Sequence, residues 1–227
     1  MSFAEQLAVL LPEDLPNRET VVSKSARHLD LIVEANQNFN LTRILDEREA
    51  AIKHVLDSVL PWRWFAGARE VCDGGAGAGF PGIPLALVLP EVRFVLAEST
   101  VKKAKFVEAV ARELELPNVL VTPRRVEDYV RGPIDLIITA RAVAPMPKMV
   151  DLIGPAVRVG CRALLYKGPE VEEEIQQAEP RMKKYSMQAR VLERYSLPDG
   201  LGERTFVELS RKTPPVMRPS GVASARS

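Results

Sequence analysis

The chain has 227 residues, of which 46% are hydrophobic and 27% are charged, and its 31 basic and 30 acidic side chains nearly cancel. This composition is typical of a globular protein with one large domain, or with one domain and an extension. Because the charges nearly cancel, the net charge gives no support for nucleic-acid binding. Any such binding must come from local basic patches. The longest apolar stretches are far shorter than the roughly 20 residues of a membrane-spanning helix, and we expect a cytoplasmic protein without a membrane segment.

Residues 1–66 predict a helical extension that packs on the rest of the chain. The N-terminal stretch MSFAEQLAVLLPEDLP has no basic region before its short apolar part, which argues against a signal peptide. Apolar residues recur at helical spacing over residues 20–36, and residues 46–57 open with an acidic turn that suits a helix N-terminus. The polar break NQNFNLTRI separates these two predicted helices.

Residues 67–212 alternate between strand and helix patterns and form the predicted core domain. The predicted strands are 69–74, 92–98, 118–123, 135–141 and 161–168, and the helices between and after them are 81–89, 101–116, 147–157 and 170–184. Two further strands, at about 188–196 and 205–211, follow each other directly and predict an antiparallel hairpin at one edge of the sheet. The order predicts an α/β fold with a mostly parallel sheet, an antiparallel edge strand and helices on both faces.

Cysteine usage and the C-terminal composition complete the outline of the chain. Cys72 and Cys161 each lie in an apolar, strand-like run, which indicates buried reduced thiols rather than a disulfide or a zinc site. We therefore expect no metal centre. Residues 213–227 are rich in Pro, Ser and Arg without periodicity and predict a disordered tail.

The stretch VCDGGAGAGFPGIPLAL, residues 71–87, follows the first predicted strand and fits two binding patterns. Read from Gly77, it fits the G-x-G-x-x-G loop of dinucleotide-binding enzymes, and read from Asp73 it fits the D-x-G-x-G-x-G loop of enzymes that bind S-adenosylmethionine. In both classes the glycines let the backbone approach a ligand closely. A glycine-rich turn without a ligand is the third alternative.

Two features of this loop favour S-adenosylmethionine. Pro81 and Pro84 remove two N–H donors from the start of the following helix, where a pyrophosphate would need them. Asp73 places a carboxylate at the strand end, as loops for S-adenosylmethionine do near the sulfonium or its amino-acid tail. Glu98, at the end of the second strand, would accept hydrogen bonds from the ribose of either cofactor and does not discriminate between them.

Several motifs along the chain, each weak alone, are specific as a set. They are GAGFPGIPLAL, the stretch from Glu98 to Phe106, NV-x-V followed by RVED, ITARAVAPM and YKG, with NFNLT and HVLDS in the N-terminal part. Together they resemble the bacterial 16S ribosomal RNA guanine-N7 methyltransferases, a family also called glucose-inhibited division protein B. The likeness runs from about residue 20 to residue 211.

The resemblance implies a Rossmann-like class I methyltransferase that uses S-adenosylmethionine to methylate guanine N7 in 16S ribosomal RNA. Carried over by position, it implies that the cofactor is bound by Asp73, Gly75, Gly77, Phe80, Glu98, Val126, Glu127 and Arg141. The chain departs from the family at residues 74–76, where Gly-Gly-Ala replaces an aliphatic residue followed by Gly-Ser or Gly-Thr. The missing hydroxyl removes one hydrogen bond, and we expect a lower cofactor affinity rather than its loss.

Arg141 is the predicted catalytic residue. Guanine N7 carries a lone pair and no proton, so methyl transfer needs alignment and the exclusion of water rather than a general base. Arg141 directly follows the fourth strand, at the sheet edge where ligands of open α/β folds bind, and a guanidinium can read guanine or clamp a phosphate. The alternative is a surface arginine that caps a loop.

Substrate contacts are predicted for Asn40, Thr42 and Lys167. Lys167 ends the fifth strand on the same edge and could hold RNA backbone, whereas Asn40 and Thr42 could hydrogen-bond the base, an assignment that rests on the family likeness. Asp57 is interpreted as part of a helix-end cap, and the Glu172–Glu174 run as a favourable helix N-terminus.

The expected partner is 16S ribosomal RNA or the small ribosomal subunit, bound by a monomer. Three other functions stay open at this level: a methyltransferase with another substrate, a nicotinamide-dependent oxidoreductase and a non-catalytic RNA-binding assembly factor.

Overall fold

The N-terminal extension folds into helices that contain one π-helical stretch. The computed structural model describes residues 1–37, 40–44, 46–129 and 136–212. Helix α1 (Phe3–Leu10) was not predicted; it begins with a capping box in which Ser2 and Glu5 bond each other's backbone N–H. Helix α2 (Arg18–Asn36) confirms the first predicted helix. The second predicted helix is a continuous segment made of α3 (Glu47–Ala50), a π-helical stretch (Ala51–Leu56) and α4 (Asp57–Val59).

A seven-stranded sheet forms the centre of the molecule. The strands are β1 (Glu70–Gly74), β2 (Arg93–Ala97), β3 (Val119–Thr122), β4 (Leu136–Arg141), β5 (Arg162–Lys167), β6 (Met187–Ser196) and β7 (Glu203–Arg211), in the order β3-β2-β1-β4-β5-β7-β6. Strands β1 to β5 pair in parallel, and β7 pairs antiparallel with both β5 and β6. The predicted sheet is confirmed, with β6 at the edge and β7 inserted beside β5.

Within the described ranges, five α-helices connect or follow the parallel strands. They are α5 (Gly82–Val88), α6 (Val101–Glu113), α7 (Val126–Tyr129), α8 (Met146–Arg158) and α9 (Val171–Lys184). Only the short α7 was not predicted. The predicted disordered tail, residues 213–227, lies outside the described residues.

The sheet is buried on both faces because successive residues of its strands face two different hydrophobic clusters. Val71 of β1 and Ile137 of β4 belong to the cluster that contains the helices of the N-terminal extension. Their neighbours Cys72 and Ile138 belong to the cluster formed with α8 and α9. The extension therefore covers one face of the sheet and brings its own polar residues close to the edge where the parallel strands end.

The structure bears on two expectations from composition. Cys72 and Cys161 are both buried and form no disulfide, and burial raises the pKa of the Cys72 thiol. No helix within the described ranges has the length and apolar character needed to cross a membrane.

Candidate active site

A cleft of about 650 Å³ lies at the carboxyl ends of β1, β4 and β5. One wall is the glycine loop, residues 75–80, and another is the β4–α8 loop, residues 142–145. The N-terminal extension closes the cleft with Thr42, Lys53, His54 and Asp57. Ligands of open parallel sheets bind at this edge, because the loops that follow the strands converge there.

The glycine loop has a conformation that requires glycine at several positions. Gly75, Gly77 and Gly79 have φ angles of 74°, 60° and 102°, in the left-handed region. A Cβ on Gly75 would lie 2.8 Å from Cγ2 of Val143 in the opposite loop. Glycine is therefore required at position 75 both by the φ angle and by the close packing against Val143. Without a side chain there, the main chain itself forms the wall of the cleft.

Helix α5 uses the N–H groups of its first turn internally. Gly82 N donates to Asp73 Oδ2 at 2.8 Å, Ile83 N donates to Gly79 O at 2.8 Å, and Pro84 has no N–H. A dinucleotide loop instead presents such donors to a pyrophosphate. This arrangement disfavours the dinucleotide alternative and agrees with the interpretation of the two prolines.

Asp73 is fully buried and lies outside the cleft lining. The position of Asp73 at the strand end predicts a carboxylate near the sulfonium or its amino-acid tail, whereas in the structure Oδ2 caps α5 and Oδ1 has no hydrogen-bond partner among the described residues. Burial raises the pKa of Asp73 to about 7, although the bond from Gly82 N opposes the rise. A buried polar atom without a partner is costly, so Oδ1 is an unsatisfied acceptor next to the glycine loop.

Glu98 connects the end of β2 to the glycine loop. Its Oε2 accepts from Gly77 N at 3.0 Å and its Oε1 accepts from Thr100 N at 2.7 Å. The side chain is largely buried, beside the cleft rather than in its lining. Each carboxylate oxygen retains a second lone pair for a ligand hydroxyl.

Val126 and Glu127, at the start of α7, lie away from the cleft. Val126 is buried against Gly74, where a Cβ would lie 3.0 Å from the Cβ of Val126. Glu127 is partly exposed and pairs with Arg125 at 3.8 Å. Both border a separate small hollow beside α8, so the structure does not bring them together with Gly75 and Phe80 in one cavity.

Phe80 is held between two histidines of the N-terminal extension. The rings of His28 and His54 both stack on it, each with a centroid separation of 4.6 Å. His28 Nε2 donates to Ala78 O at 2.8 Å, and His54 Nε2 pairs with Thr42 Oγ1 at 3.1 Å. Neither histidine is recognisable from the sequence as a wall residue, because the stack brings together three distant segments of the chain.

Burial keeps both histidines of this stack neutral at neutral pH. It lowers the pKa of His28 to about 4 and that of His54 to about 3, and nearby Arg141 contributes to the shift of His54. Neither ring therefore carries the charge of an imidazolium into the cleft.

The two histidines predict a loss of stability in mild acid. In the unfolded chain histidine titrates near pH 6.5, so between about pH 6.5 and pH 4 the unfolded state binds more protons than the folded state. Their contribution is complete above pH 6.5 and falls as the pH is lowered, by up to about 1.4 kcal/mol per pH unit for each histidine. Asp73, whose pKa is raised to about 7, acts with the opposite sign in the same range.

A comparison with variants isolates the histidine contribution. Urea unfolding of the wild type, His28→Gln and His54→Gln at pH 7, 6 and 5 gives the slope of the free energy of unfolding against pH. We expect a smaller slope in each variant, since Asp73 is common to all three proteins. Parallel slopes in all three would contradict the prediction.

Arg141 lies in the cleft, with its side chain 14% exposed. Its Nη1 donates to Asp57 Oδ2 at 3.1 Å and to Lys53 O at 3.0 Å. The guanidinium carbon lies 5.8 Å from the ring centroid of Phe80 and 5.9 Å from that of Tyr166, within the range of cation–π attraction. The side chain is thus part of the buried framework of the cleft rather than a loop cap.

Asp57 and Arg204 are site residues that the sequence analysis missed. Asp57 is 1% exposed, and besides Arg141 it accepts from Arg204 Nε at 3.2 Å and from the Tyr195 hydroxyl at 3.1 Å. Arg204, near the start of β7, also lines the cleft. No local pattern marks this cluster, because Asp57 is separated from each of its partners by more than 80 residues along the chain.

Lys167 lies in the cleft but is engaged with protein groups. Its Nζ bonds Glu174 Oε2 at 2.6 Å and Ala144 O at 3.0 Å, and the same Glu174 oxygen accepts from Met146 N at 2.6 Å. The pair joins β5 and α9 to the β4–α8 loop. Glu174 therefore does more than favour a helix N-terminus.

The predicted substrate residues of the polar break are placed differently from each other. Thr42 lines the cleft, and its hydroxyl also accepts from Ile44 N at 3.1 Å. Asn40 is exposed and lies outside the cleft lining. Among the residues that the structure describes, no group of three His, Cys, Asp or Glu side chains could hold a metal ion.

The fold is that of the class I methyltransferases. Magnesium protoporphyrin IX methyltransferase from Synechocystis PCC 6803, solved with bound S-adenosylmethionine, superimposes with a TM-score of 0.58 at 13% identity. The match covers 88% of this chain and 100% of that one. It confirms the predicted fold class.

Sequence comparison identifies the family. A sequence model described as rRNA small subunit methyltransferase G matches residues 22–199. The chain is 59% identical over 209 residues to ribosomal RNA small subunit methyltransferase G of Solibacter usitatus, covering 92% of this chain and 100% of that protein. The relative of the same name in Carboxydothermus hydrogenoformans is 37% identical over 187 residues, covering 80% and 79%.

The chain belongs to the rRNA small subunit methyltransferase G family. This confirms the resemblance found from the motifs, and it makes the protein a methyltransferase that depends on S-adenosylmethionine.

Proposed function

We propose that the protein transfers the methyl group of S-adenosylmethionine to N7 of a guanine in 16S ribosomal RNA. The proposal rests on one observation: the glycine loop, whose glycines have φ angles in the left-handed region, and Arg141 line the same cleft, and the Arg141 guanidinium lies near the Phe80 ring. The family membership supplies the class of reaction and the RNA substrate.

The described residues fit the cofactor. The main chain at Gly75 and Gly77 offers close approach, since a side chain at Gly75 would fill the space, and the unpartnered Asp73 Oδ1 could accept from an ammonium group. We propose that Glu98 accepts from the ribose and that Phe80 forms a wall. When bound, the cofactor supplies an electrophilic methyl group on a positively charged sulfur.

Two of the predicted cofactor contacts require a cofactor that extends beyond the cleft. We propose that Val126 and Glu127 flank the adenine, as the family likeness implies. In the structure Val126 lies beside Gly74, one residue before the glycine loop, which supports an adenine on that side.

The acceptor chemistry matches the side chains of the cleft. Guanine N7 has no proton to lose, and the cleft carboxylates Asp57 and Glu174 are both paired with cations rather than free to act as bases. We propose that Arg141 contacts guanine O6 or a flanking phosphate with its remaining donors and so aligns N7 with the methyl group. Asn40, Thr42 and Lys167 are proposed to contact the RNA, Lys167 after exchange of its Glu174 partner.

The charge of the cleft suits a polyanion. Four basic side chains line it, against the two carboxylates of Asp57 and Glu174, and both histidines are neutral; the basic residues are Lys53, Arg141, Lys167 and Arg204. Lys53 is also paired with Glu49, outside the lining, so the cleft carries a modest excess of positive charge. Such an excess in a concave surface attracts a negatively charged substrate. We further propose that the protein acts as a monomer in the cytoplasm, where ribosomal RNA is assembled into subunits.

Calorimetric titration tests the cofactor half of the proposal. We expect binding of S-adenosylmethionine and no binding of NADH, because the first turn of α5 has no N–H free for a pyrophosphate. Glu98→Ala should weaken S-adenosylmethionine binding about 10-fold or more, since charge-assisted hydrogen bonds contribute about 1.5–3 kcal/mol. Glu108→Ala, at an exposed position on α6, is the control and should bind normally. Binding of NADH would contradict the proposal.

Methyl transfer to RNA tests the other half. Purified 16S rRNA and small subunits are incubated with tritiated S-adenosylmethionine, and the product is treated with borohydride and aniline, which cleave RNA at N7-methylguanine. Labelled RNA that is cut at one guanine is the expected result. Label that resists cleavage would show a different acceptor atom, and absence of label with retained RNA binding would favour an assembly factor.

A further inference from the structure

We propose that Asp57 is a positioning residue that sets the orientation of both arginines of the cleft, Arg141 and Arg204. The inference rests on the proposed function of the cleft. It gives the N-terminal extension a part in arranging the active site, in addition to covering one face of the sheet.

The Asp57 carboxylate joins groups from three elements of the core domain. Its Oδ2 accepts from Arg141 Nη1 at 3.1 Å and from Arg204 Nε at 3.2 Å, and its Oδ1 accepts from the Tyr195 hydroxyl at 3.1 Å. The two arginine side chains are 14% and 23% exposed, against 1% for Asp57. Two guanidinium groups that converge in a half-buried site repel each other unless a carboxylate lies between them.

The π-helical stretch supplies a second acceptor for Arg141. Asp57 N donates to Ile52 O, five residues back, whereas Leu60 N donates to Leu56 O, four residues back. The change from one spacing to the other leaves five carbonyls, those of residues 52–56, for only four N–H groups, those of residues 57–60. One of these carbonyls therefore has no main-chain donor within the helix. Lys53 O accepts from Arg141 Nη1 instead, at 3.0 Å.

One nitrogen of Arg141 is therefore held by a carboxylate and by a main-chain carbonyl of the same helical segment. Within the described part of the chain the other nitrogens of the guanidinium have no hydrogen-bond partner, so they are left for a substrate. The guanidinium carbon lies near the rings of both Phe80 and Tyr166. A misplacement of about 1 Å in a substrate-aligning group can cost about 10²-fold in rate.

Steady-state kinetics of Asp57→Asn test the proposal. We expect kcat for RNA methylation to fall about 10- to 100-fold, with KM for S-adenosylmethionine changed by less than about 3-fold. Asp14→Asn is the matched control, because Asp14 is an exposed partner of Arg63 elsewhere in the extension, and its kinetics should equal the wild type.

A double variant separates positioning from general stability. If Asp57 acts through the two arginines, adding Asp57→Asn to Arg141→Ala should slow the reaction by less than Asp57→Asn slows the wild type, because only the contribution of Arg204 remains to be lost. Losses that multiply in the double variant would show that the two residues act independently, and they would overturn the proposal. Tyr195→Phe removes the hydroxyl that donates to Asp57 Oδ1 and to Asp57 O but keeps the carboxylate. If Asp57→Asn does not fold, this variant is expected to show a smaller kcat loss with an unchanged KM.

A spectroscopic readout makes the inference independent of activity. In ¹⁵N-labelled protein, the Arg204 Nε–H signal should exchange slowly with water in the wild type and in Asp14→Asn, rapidly in Asp57→Asn, and at an intermediate rate in Tyr195→Phe, which keeps Asp57 Oδ2 as the acceptor. Rapid exchange in the wild type would overturn the positioning role. Slow wild-type exchange with no methylation of any RNA would instead refute the proposed function while leaving the arginine geometry in place.

Discussion

Arg141→Ala is expected to lower kcat/KM for methyl transfer to 16S rRNA by about 10²–10³-fold, the loss that follows removal of one preorganised donor from an active site. Most of the loss should fall on kcat, because the guanidinium is held in place before the substrate binds. The fold should survive, since Asp57 keeps Arg204 and Tyr195 as partners.

Single-turnover methylation with tritiated S-adenosylmethionine measures this effect. Arg141→Lys keeps the charge but not the planar fork of donors, so it should recover only part of the rate. Arg158→Ala, exposed at the end of α8, is the control for a lost positive charge. Wild-type rates in Arg141→Ala would remove this residue from the active site.

Gly75→Ala is expected to weaken S-adenosylmethionine binding about 100-fold or more. The new Cβ would lie 2.8 Å from Val143 Cγ2, and the φ of 74° disfavours any side chain. The variant must therefore move either the glycine loop or the β4–α8 loop, both of which are walls of the cleft. The affinity is measured by calorimetric titration.

Gly67→Ala is a matched control for the backbone strain. Gly67 has a φ of 76°, but a Cβ added there would meet no atom within 4 Å, so the variant carries the same strain of about 1–2 kcal/mol without the clash. We expect a lower thermal midpoint and unchanged cofactor affinity. The double variant Gly75→Ala, Val143→Ala should bind S-adenosylmethionine more tightly than Gly75→Ala alone, because the second substitution removes the Cγ2 atom of the clash. Equal affinities of Gly75→Ala and Gly67→Ala for S-adenosylmethionine would contradict the prediction that the clash with Val143 weakens binding.

Much of the fold and part of the site could be predicted from local patterns. The alternation of short apolar runs with amphipathic segments predicted all seven strands, because burial of a parallel sheet on both faces demands continuous apolar runs. Once the strands are parallel, Gly75, Glu98, Arg141 and Lys167 must lie at one edge, since all follow or end a strand. The short α1 and α7 and the π-helical stretch were missed because a few residues carry too little periodicity.

Asp73 shows where local reasoning stops. Its position at the end of β1 predicts a carboxylate facing a cofactor, yet the carboxylate caps α5 because the packing of that helix on the sheet brings Gly82 N within hydrogen-bond distance. Lys167 is similar, since its partner Glu174 comes from a helix that the sequence marked only by a run of acids.

The sequence by itself determined the order of the sheet's strands along the chain, the glycine loop and the arginine at the end of β4, because each depends on residues within one short segment. Only the tertiary structure decided what surrounds them. The His28–Phe80–His54 stack and the Asp57 cluster join residues that are far apart along the chain, and no local spacing encodes such contacts. They form because the N-terminal extension buries its apolar face on the sheet, and its polar residues are thereby carried to the cleft.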